Sequence, residues 1–341
     1  MQASMEISPS DRSALLATIE RFSGKHVIML GDLVADEFIY GEIARVSREA
    51  PVLILKQREK QVVPGGGANA ANNLAALGAR VSVVGVVGDD PAGASLLAYF
   101  REKGIATQRV LRLKGHLTPT KSRILGGYSH WQRQQIVRLD REPPQPLKPE
   151  IRRRLSGEVA KLLPQASALL ISDYGYGTTD GGEAGFLRRR ARNLSLPITV
   201  DSRFSFRSYT GLTAATPNEP EIEEASGRKI GTDIDLLNRL GQELLKRQHY
   251  RALLVTRGRD GMVLFERRRP PCYLPIFGSD QVVDVTGAGD TVIAAFTLAL
   301  AAGASFLHAA MLANCAGGLV VMKRGTATAS AAELKEAIRN A

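Results

Sequence analysis

Short, continuously apolar runs that alternate with helical segments are the feature that most constrains the fold of this 341-residue chain. The predicted strands lie at residues 27–30, 81–87, 168–171, 198–200 and 252–255. The predicted helices lie at residues 68–77, 92–103, 183–192, 234–247, 288–302 and 306–322. Strands that are apolar on both faces need cover on both sides, and helical connections make neighbouring strands parallel. We therefore predict an α/β fold with a mostly parallel central sheet and helices on both faces.

Two segments, residues 38–62 and 111–141, break this alternation. Both are rich in β-branched residues with a two-residue period, and neither carries a helical segment between its strands. This pattern indicates directly paired strands rather than strand–helix units. We predict one domain over residues 1–341, in which a small inserted β-sheet forms a lid on the core.

The composition narrows the class of protein. Hydrophobic residues make up 44% of the chain, which suffices for a large core, and no apolar run is long enough to span a bilayer. Residues 1–10 lack the basic start and apolar stretch of a signal peptide. Cys272 and Cys315 are too few for a disulfide framework or a zinc cluster. We expect a cytoplasmic protein with no membrane partner.

The net charge of +11 raises the question of nucleic-acid binding. Arginine triplets lie at residues 152–154, 188–190 and 267–269, but aromatic residues are only 6% of the chain and are not interleaved with them. A single-strand binding surface would need such aromatic residues for base stacking. We interpret the triplets as solvated surface and expect no nucleic-acid partner.

The sequence DVTGAGDT at residues 284–291 directly precedes an apolar, helix-forming stretch. Its small residues let backbone N–H groups at the start of a helix approach an anion, and the helix dipole favours negative charge there. Asp290 lies at the same helix start, so it can take a proton from a hydroxyl held beside that anion. The pattern predicts phosphoryl transfer, the alternative being a glycine-rich turn capped by an aspartate.

Two further motifs suit a sugar. The sequence PGGGANAANN at residues 64–73 places glycines before a helix, where the backbone can approach a polyol, and Asn69 can offer both a donor and an acceptor. The alternative is a tight strand-to-helix turn. Asp32 and Asp36 follow the first strand, at the edge of the sheet where ligands of open α/β folds bind. Asp32 could instead cap a turn.

Two motifs suit a nucleotide. The sequence NEPE at residues 218–221 places Asn218 and Glu221 on one face of a helix start, which suits a hydrated Mg²⁺ ion, although a capping arrangement would look the same. The sequence TRGRDG at residues 256–261 joins two strands and could hold a phosphate through Thr256, or be a hairpin loop.

In their order along the chain, these motifs resemble the ribokinase/PfkB family of carbohydrate kinases over nearly the whole sequence. Within that family, the resemblance narrows to the D-glycero-D-manno-heptose 7-phosphate kinases of lipopolysaccharide-heptose synthesis. The segments that carry it are RVSREAPV at residues 45–52, SDYGYG at 172–177, DVTGAGDTVI at 284–293 and KRGTAT at 323–328.

This resemblance implies a ribokinase-like three-layer fold and ATP-dependent phosphorylation of the anomeric hydroxyl, with Mg²⁺ and a monovalent cation such as K⁺ as cofactors. It implies Asp290 as the base beside an anion hole of Gly287, Ala288 and Gly289. The implied sugar contacts are Asp36, Gly66, Gly67 and Asn69. The implied contacts to metal and nucleotide are Asn218 and Glu221 through water, with Thr256, Gly258 and Asn314 along the nucleotide.

Surplus positive charge near the lid predicts a phosphorylated sugar, because arginine forks on a remote phosphate help to orient the reacting hydroxyl. We expect Lys121, Arg123 and Arg203 to bind substrate. The exposed edges of the lid also predict a homodimer.

Three departures from the heptose-kinase pattern concern the sugar: Tyr176 replaces a lysine, Ser202-Arg203 replaces Pro-Lys, and residues 126–131 resemble an insertion. A kinase for another sugar or sugar phosphate, or a non-catalytic binding protein, are the alternatives. Many relatives add a nucleotidyltransferase domain with an HxGH loop. No two of the five histidines here have that spacing, so we expect a kinase alone, with a separate nucleotidyltransferase as pathway partner.

Overall fold

The computed structural model describes residues 7–127, 134–278 and 283–341. The strands are β1 (His26–Gly31), β2 (Leu33–Val46), β3 (Leu53–Gly66), β4 (Arg80–Gly88), β5 (Ala106–Leu113), β6 (Thr120–Gly126), β7 (Gln134–Arg141), β8 (Ala168–Asp173), β9 (Ile198–Ser202), β10 (Ala214–Ala215), β11 (Ala252–Thr256), β12 (Met262–Glu266) and β13 (Cys272–Leu274). The helices are α1 (Pro9–Glu20), α2 (Gly67–Ala76), α3 (Pro91–Glu102), α4 (Pro149–Leu162), α5 (Gly181–Arg190), α6 (Glu219–Ser226), α7 (Ile234–Arg247), α8 (Ala288–Ala301), α9 (Phe306–Val321) and α10 (Ala331–Asn340).

A nine-stranded sheet forms the centre of the molecule, in the order β13-β12-β11-β10-β9-β8-β1-β4-β5. Neighbouring strands from β5 to β11 pair in parallel, while β12 pairs antiparallel with both β11 and β13. Because β1, β8, β9 and β11 run in one direction, their carboxyl ends lie at one edge of the sheet. This is the edge at which open α/β sheets bind ligands.

Helices cover both faces of the large sheet. Val27 and Met29 of β1 belong to one core cluster, which includes residues of α1, α2, α3, α8, α9 and α10. Ile28 and Leu30 belong to the other, which includes residues of α4, α5, α6 and α7. Alternate residues of a strand face opposite sides, so an uninterrupted apolar strand supplies both cores. The predicted three-layer α/β architecture is confirmed.

A second, four-stranded sheet has the order β3-β2-β6-β7. The long strands β2 and β3 pair antiparallel from Leu33 with Gly66 to Val46 with Leu53, and β2 and β6 pair in parallel. The predicted inserted sheet is therefore present, and its strands extend beyond the predicted 38–62 on both sides.

The second inserted segment begins later than the predicted residue 111. Residues 111–113 end β5, which pairs with β4 at the edge of the large sheet. Leu111 and Leu113 are partly buried against the core, so this edge strand alternates in polarity just as a lid strand does. The predicted insertion at residues 126–131 extends past Gly127 into residues outside the described part of the chain.

Sequence patterns indicated a helical segment around the arginine triplet at residues 152–154, which lies in α4, but did not predict α10. Helix α10 begins with a capping box in which Ser330 and Glu333 each accept a hydrogen bond from the other's backbone N–H. Across the described residues, no helix combines the length and the apolar character needed to cross a bilayer.

Candidate active site

The start of α8 depends on a glycine. Gly287, the N-cap residue, has a φ of 77°, a left-handed conformation that glycine adopts readily, and a Cβ atom here would collide with the amide of Asn69. The Ala288 N–H donates to the Val285 carbonyl at 3.2 Å, and the space around Gly289 is open. Among the residues of the first turn of α8, Gly289 therefore has the backbone N–H best placed to bind an anion.

Asp290 is the third residue of α8 and only 3% of its surface is exposed. Asn69 Nδ2 donates to Asp290 Oδ2 at 2.9 Å, and the Tyr174 hydroxyl donates to Oδ1 at 2.8 Å. Burial raises the pKa of Asp290 to about 7, although the hydrogen bonds from Asn69 and Tyr174 act in the opposite direction and lower it. A carboxylate with this pKa and fixed orientation can accept a proton near neutral pH.

The start of α2 lies beside Asp290. Gly66, its N-cap residue, has a φ of 53°, and a Cβ here would press on the side chains of Val34 and Tyr174. A Cβ at Gly67 would lie 2.8 Å from the Asp32 carbonyl oxygen. Both glycines are therefore needed for close packing, and Asn69, two residues on, is fully buried against α8.

Asp36 and Arg123 approach this point from the small sheet. Arg123 donates to Asp36 Oδ1 at 2.8 Å, and its guanidinium lies 5.4 Å from the ring centre of Phe38. Burial raises the pKa of Asp36, although the neighbouring positive charge of Arg123 acts in the opposite direction and lowers it. A Cβ at Gly65 would contact the Asp36 carboxylate, so the carboxylate packs on the glycine-rich segment.

A cavity of about 470 Å³ lies between β6, β7 and the loops that follow β8 and β9. Its lining includes Tyr174, the cations Lys121, Arg138 and Arg203, and the carboxylates of Asp140 and Glu142, of which Asp140 pairs with Arg138. The Lys121 ammonium lies 5.3 Å from the ring centre of Tyr174. Burial lowers the pKa of Lys121, and the charge of Arg203 lowers it further. These cations share one cavity, and an anionic ligand there would relieve their repulsion.

Asp32 serves the loop that follows β8. Its carboxylate accepts backbone N–H groups from Tyr174 at 2.8 Å, Tyr176 at 3.0 Å and Thr178 at 3.0 Å. Of the two interpretations offered by the sequence, the structure therefore supports the turn rather than the sugar contact. Asp32 holds the loop that presents Tyr174 to Asp290.

A second cavity, of about 210 Å³ and mostly apolar, lies on the other side of the α8 start. It is lined by the predicted nucleotide residues Thr256, Gly258 and Asn314, together with Ala288 and Gly289. The backbone of Thr256 bridges to Asn218, which brings the NEPE motif to the same region. The start of α8 thus stands between a polar, cationic cavity and a mostly apolar one.

Asn218 and Glu221 form a capping box at the start of α6. The Asn218 N–H donates to Glu221 Oε2 at 2.9 Å, and the Glu221 N–H donates to Asn218 Oδ1 at 2.8 Å. The capping interpretation is correct. It uses one of the two oxygens of Glu221 and one lone pair of the single side-chain oxygen of Asn218, so it does not conflict with a contact to hydrated metal.

The carboxylate of Asp201, at the end of β9, lies near Glu221. Burial raises the pKa of both groups to about 7, and the charge of Glu221 adds to the rise at Asp201. A divalent cation would stabilise both carboxylates in their charged forms, so this pair fits Mg²⁺. Among the residues that the structure describes, no group of three or more His, Cys, Asp or Glu side chains is placed to hold a metal ion.

The sequence interpretation did not assign roles to Tyr174, Arg138 or Asp201. Tyr174 directly follows β8, and Asp201 lies at the end of β9. Both positions are at the carboxyl edge of the parallel sheet, which is the signal that could have identified them. The hydroxyl contact between Tyr174 and Asp290 joins segments 116 residues apart, which no local pattern reveals.

Comparisons with known proteins agree with this geometry. Residues 31–333 match the model of the pfkB family of carbohydrate kinases. The bifunctional protein HldE of Pelobacter propionicus is 37% identical over 329 residues, which cover 96% of this chain and 66% of that protein. The chain therefore spans just under two thirds of the length of this relative.

Two solved structures share the fold at low sequence identity. Ribokinase from Arabidopsis thaliana, complexed with ribose and ATP, has a TM-score of 0.72 and 19% identity, over 93% of this chain and 99% of that chain. Phosphofructokinase-2 from Escherichia coli, in complex with potassium, has a TM-score of 0.73 and 18% identity, with the same coverage. With the family model matched over most of its length, this chain belongs to the pfkB family of carbohydrate kinases, as its motifs predicted, and is a sugar kinase of the ribokinase-like fold.

Proposed function

We propose that this kinase transfers the γ-phosphoryl group of ATP to the anomeric hydroxyl of D-glycero-D-manno-heptose 7-phosphate. The product is the 1,7-bisphosphate, a precursor of ADP-heptose and of the lipopolysaccharide core. The observation that carries the proposal is the position of Asp290, a buried carboxylate that directly follows Gly289 in the lining of the mostly apolar cavity and accepts a hydrogen bond from Tyr174 in the lining of the cationic one. The choice of heptose rests on the motifs at residues 45–52 and 172–177 that resemble heptose 7-phosphate kinases.

In this reaction Asp290 accepts the proton of the anomeric hydroxyl as the new oxygen–phosphorus bond forms and the bond to ADP breaks. Asn69 and Tyr174 keep its two oxygens in place, at 2.9 and 2.8 Å. The backbone at Gly287, Ala288 and Gly289 stabilises negative charge on the transferred group, with Gly289 closest to open space. Phosphoryl transfer needs little covalent help, so positioning supplies much of the rate.

The nucleotide occupies the mostly apolar cavity, with Thr256, Gly258 and Asn314 along it. Glu221 and Asn218, assisted by Asp201, would hold Mg²⁺ through water, since burial raises the pKa of both carboxylates and a cation would stabilise their charged forms. When bound, the ion neutralises charge on the ATP phosphates. A monovalent cation such as K⁺ is a further expected cofactor, since the fold neighbour from Escherichia coli is described in complex with potassium.

The sugar lies between the two cavities, against Asp36, Gly66, Gly67 and Asn69. Its 7-phosphate enters the cationic cavity, where Lys121 and Arg203 bind it. Arg123 contributes through Asp36, with which it pairs at 2.8 Å, rather than by direct contact with phosphate. The remote phosphate then supplies binding energy that orients the anomeric hydroxyl.

A second candidate is phosphorylation of another sugar or sugar phosphate. Tyr176 favours it, because this residue replaces a lysine of the heptose-kinase pattern and its hydroxyl donates to Glu142, also in the lining of the cationic cavity. A non-catalytic binding protein is disfavoured, because Asp290 and both glycines of the α8 start are present.

We also propose a homodimer that pairs through the small sheet. Its exposed apolar side chains include Val46, Val52 and Leu139, at 59%, 55% and 65% exposure, and such a surface favours association. Ile54 and Ile124 of the same sheet are half-buried. A monomeric mass measured by light scattering at assay concentration would contradict the proposed homodimer. A cytoplasmic location, where ATP is available, and a nucleotidyltransferase as pathway partner complete the proposal.

The test is a phosphorylation screen with purified protein, ATP and Mg²⁺. The acceptors are heptose 7-phosphate, hexose 6- and 1-phosphates and the matching free sugars, with ADP release as readout. We expect kcat/KM to be highest for heptose 7-phosphate. A free sugar that gave the highest kcat/KM would overturn the heptose phosphate assignment, and absence of sugar-dependent ADP release with every acceptor would count against catalysis.

A further inference from the structure

A row of buried polar side chains leads away from Asp290, and beyond Asn69 its members have no role in the reaction described above. Asn69, Asn73 and Thr291 are all fully buried. The Thr291 hydroxyl donates to Asn73 Oδ1 at 2.9 Å, Asn73 Nδ2 donates to Asn69 Oδ1 at 3.1 Å, and Asn69 Nδ2 donates to Asp290 Oδ2 at 2.9 Å. Because Thr291 is the residue after Asp290, the row begins and ends on α8.

The direction of the bonds in this row is set at Asn73, because its amide nitrogen donates to the Asn69 backbone carbonyl at 3.0 Å and a carbonyl can only accept. The amide oxygen of Asn73 therefore faces Thr291, whose hydroxyl donates to it at 2.9 Å and also lies 3.3 Å from the Gly287 carbonyl oxygen. The same nitrogen of Asn73 donates to the Asn69 side-chain oxygen at 3.1 Å. The oxygen of the Asn69 amide must face Asn73, which leaves its nitrogen for Asp290.

This orientation matters because an asparagine amide can reverse. A reversed Asn69 would place its oxygen against the carboxylate of Asp290, with no proton between the two acceptors. A buried acceptor pair of this kind disfavours the ionised carboxylate. The correct orientation instead gives Asp290 a donor, and the same nitrogen lies 3.4 Å from the Gly287 carbonyl at the helix start.

We propose that Thr291 and Asn73 are positioning residues, which fix the Asn69 amide so that its nitrogen faces Asp290. This inference rests on the proposed role of Asp290 as the base. Neither residue touches substrate; both act through Asn69. The row therefore keeps the base in its proton-accepting form, a role distinct from the sugar contact proposed for Asn69.

The other groups that face Asp290 do not share this row. Among the described residues, Tyr174 donates to its other oxygen, and the carboxylates of Asp36 on β2 and Asp201 on β9 act on it through their charges. A change at Thr291 leaves all three in place. A shift in the titration of Asp290 that follows such a change therefore reaches it through Asn69 or through the start of α8, where the Thr291 hydroxyl lies 3.3 Å from the Gly287 carbonyl oxygen.

The first experiment compares pH–rate profiles of Thr291→Val and Thr291→Ser with that of the unchanged enzyme. Thr291→Val keeps the shape and removes the hydroxyl. We expect the acidic limb of kcat/KM to move up by about one pH unit, a loss of about fivefold at pH 7 that recovers by about pH 9. Thr291→Ser restores the hydroxyl and should restore the profile.

Thr297→Val is the matched control. Thr297 is also a fully buried threonine of α8, and its hydroxyl pairs with that of Thr199 at 2.6 Å. Its loss should lower stability and leave the pH profile unchanged. If Thr291→Val does not fold, Asn73→Leu removes the middle of the row and carries the same expectation.

The second experiment needs no substrate. Unfolding is measured between pH 5 and pH 9 for Thr291→Val, with and without Asp290→Asn. The destabilisation by Thr291→Val should grow above pH 7, because Asp290 then resists ionisation further, and this growth should vanish in the Asp290→Asn background. Thr297→Val should show a constant destabilisation.

The two failures are distinguishable. A pH-independent effect of Thr291→Val in both experiments would overturn the positioning role and leave the base untouched. An Asp290→Asn enzyme with full activity would overturn the proposed reaction, whatever the unfolding data show.

Discussion

The Arg123 guanidinium donates a hydrogen bond of 2.8 Å to Asp36 Oδ1, between the adjacent strands β2 and β6 of the small sheet. Both side chains are buried, with exposures of 14% and 5%. Breaking a buried ion pair from one side leaves the partner charge uncompensated. This pair therefore links the integrity of the lid to the carboxylate proposed to bind sugar.

Arg123→Met should lower the free energy of unfolding by about 3 kcal/mol and raise the KM for sugar, because Asp36 loses its partner. Arg138→Met is the stability control, since Arg138 pairs with Asp140 at 2.9 Å but its side chain is 47% exposed. The control should cost less than about 1 kcal/mol. Denaturant unfolding of both variants decides the matter, and equal losses would refute the linkage.

Glu221→Gln should raise the Mg²⁺ concentration needed for half-maximal rate, with activity partly recovered at high Mg²⁺. The amide can still accept the Asn218 N–H, so the cap at α6 should persist. Glu333→Gln is the matched control, because Glu333 holds the same position in the capping box of α10 and pairs with Lys323 at 2.6 Å. A Mg²⁺ dependence that shifted equally in both variants would rule out a metal role for Glu221.

Lys121→Met and Arg203→Met should each raise the KM for a sugar phosphate by about tenfold or more, because a charge-assisted hydrogen bond contributes roughly 1.5–3 kcal/mol. The KM for a free sugar should change little. Arg58→Met, which removes an exposed cation paired with Glu42, is the control. Steady-state kinetics with both acceptors gives the answer, and parallel changes for both acceptors would place neither cation on the phosphate.

The pKa of Asp290, raised to about 7, has a consequence for stability. An unfolded aspartate titrates near 3.9, so between about pH 4 and pH 7 only the folded protein holds this proton. The contribution of Asp290 to the free energy of unfolding therefore falls as the pH rises from about 4 to about 7. Asp290→Asn should be more stable than the unchanged protein at pH 8, by at most about 4 kcal/mol, and the difference should shrink toward pH 4. Thermal unfolding at both pH values checks the sign, and a variant that is less stable at pH 8 contradicts it.

Much of the fold could be predicted from the sequence because its signals are local. Apolar runs such as residues 168–171 identify buried strands, and the predicted helix 234–247 coincides with α7 (Ile234–Arg247). β5 was misassigned in part, because a half-buried edge strand of the large sheet and a lid strand show the same alternation.

The candidate site was predictable where a motif carries it and not where distant segments meet. The DVTGAGDT sequence indicated Asp290 and the glycines of the α8 start, since its chemistry requires those residues at that spacing. The partners of Asp290 come from the starts of distant segments, Asn69 in α2 and Tyr174 after β8. Only the tertiary fold joins them. The sequence left open whether Asp32 binds sugar or caps a turn. In the structure its carboxylate accepts three backbone N–H groups, which supports the turn.

The central claim is that Asp290 is the base, and Asp290→Asn tests it most directly. The amide keeps the size of the side chain and can still bond Asn69 and Tyr174, but it cannot accept the hydroxyl proton. General-base catalysis contributes about 10²–10⁴ in rate, so kcat with ATP and the preferred sugar should fall at least about a hundredfold while ATP binding is little changed. A kcat within a few-fold of the unchanged enzyme would contradict the account.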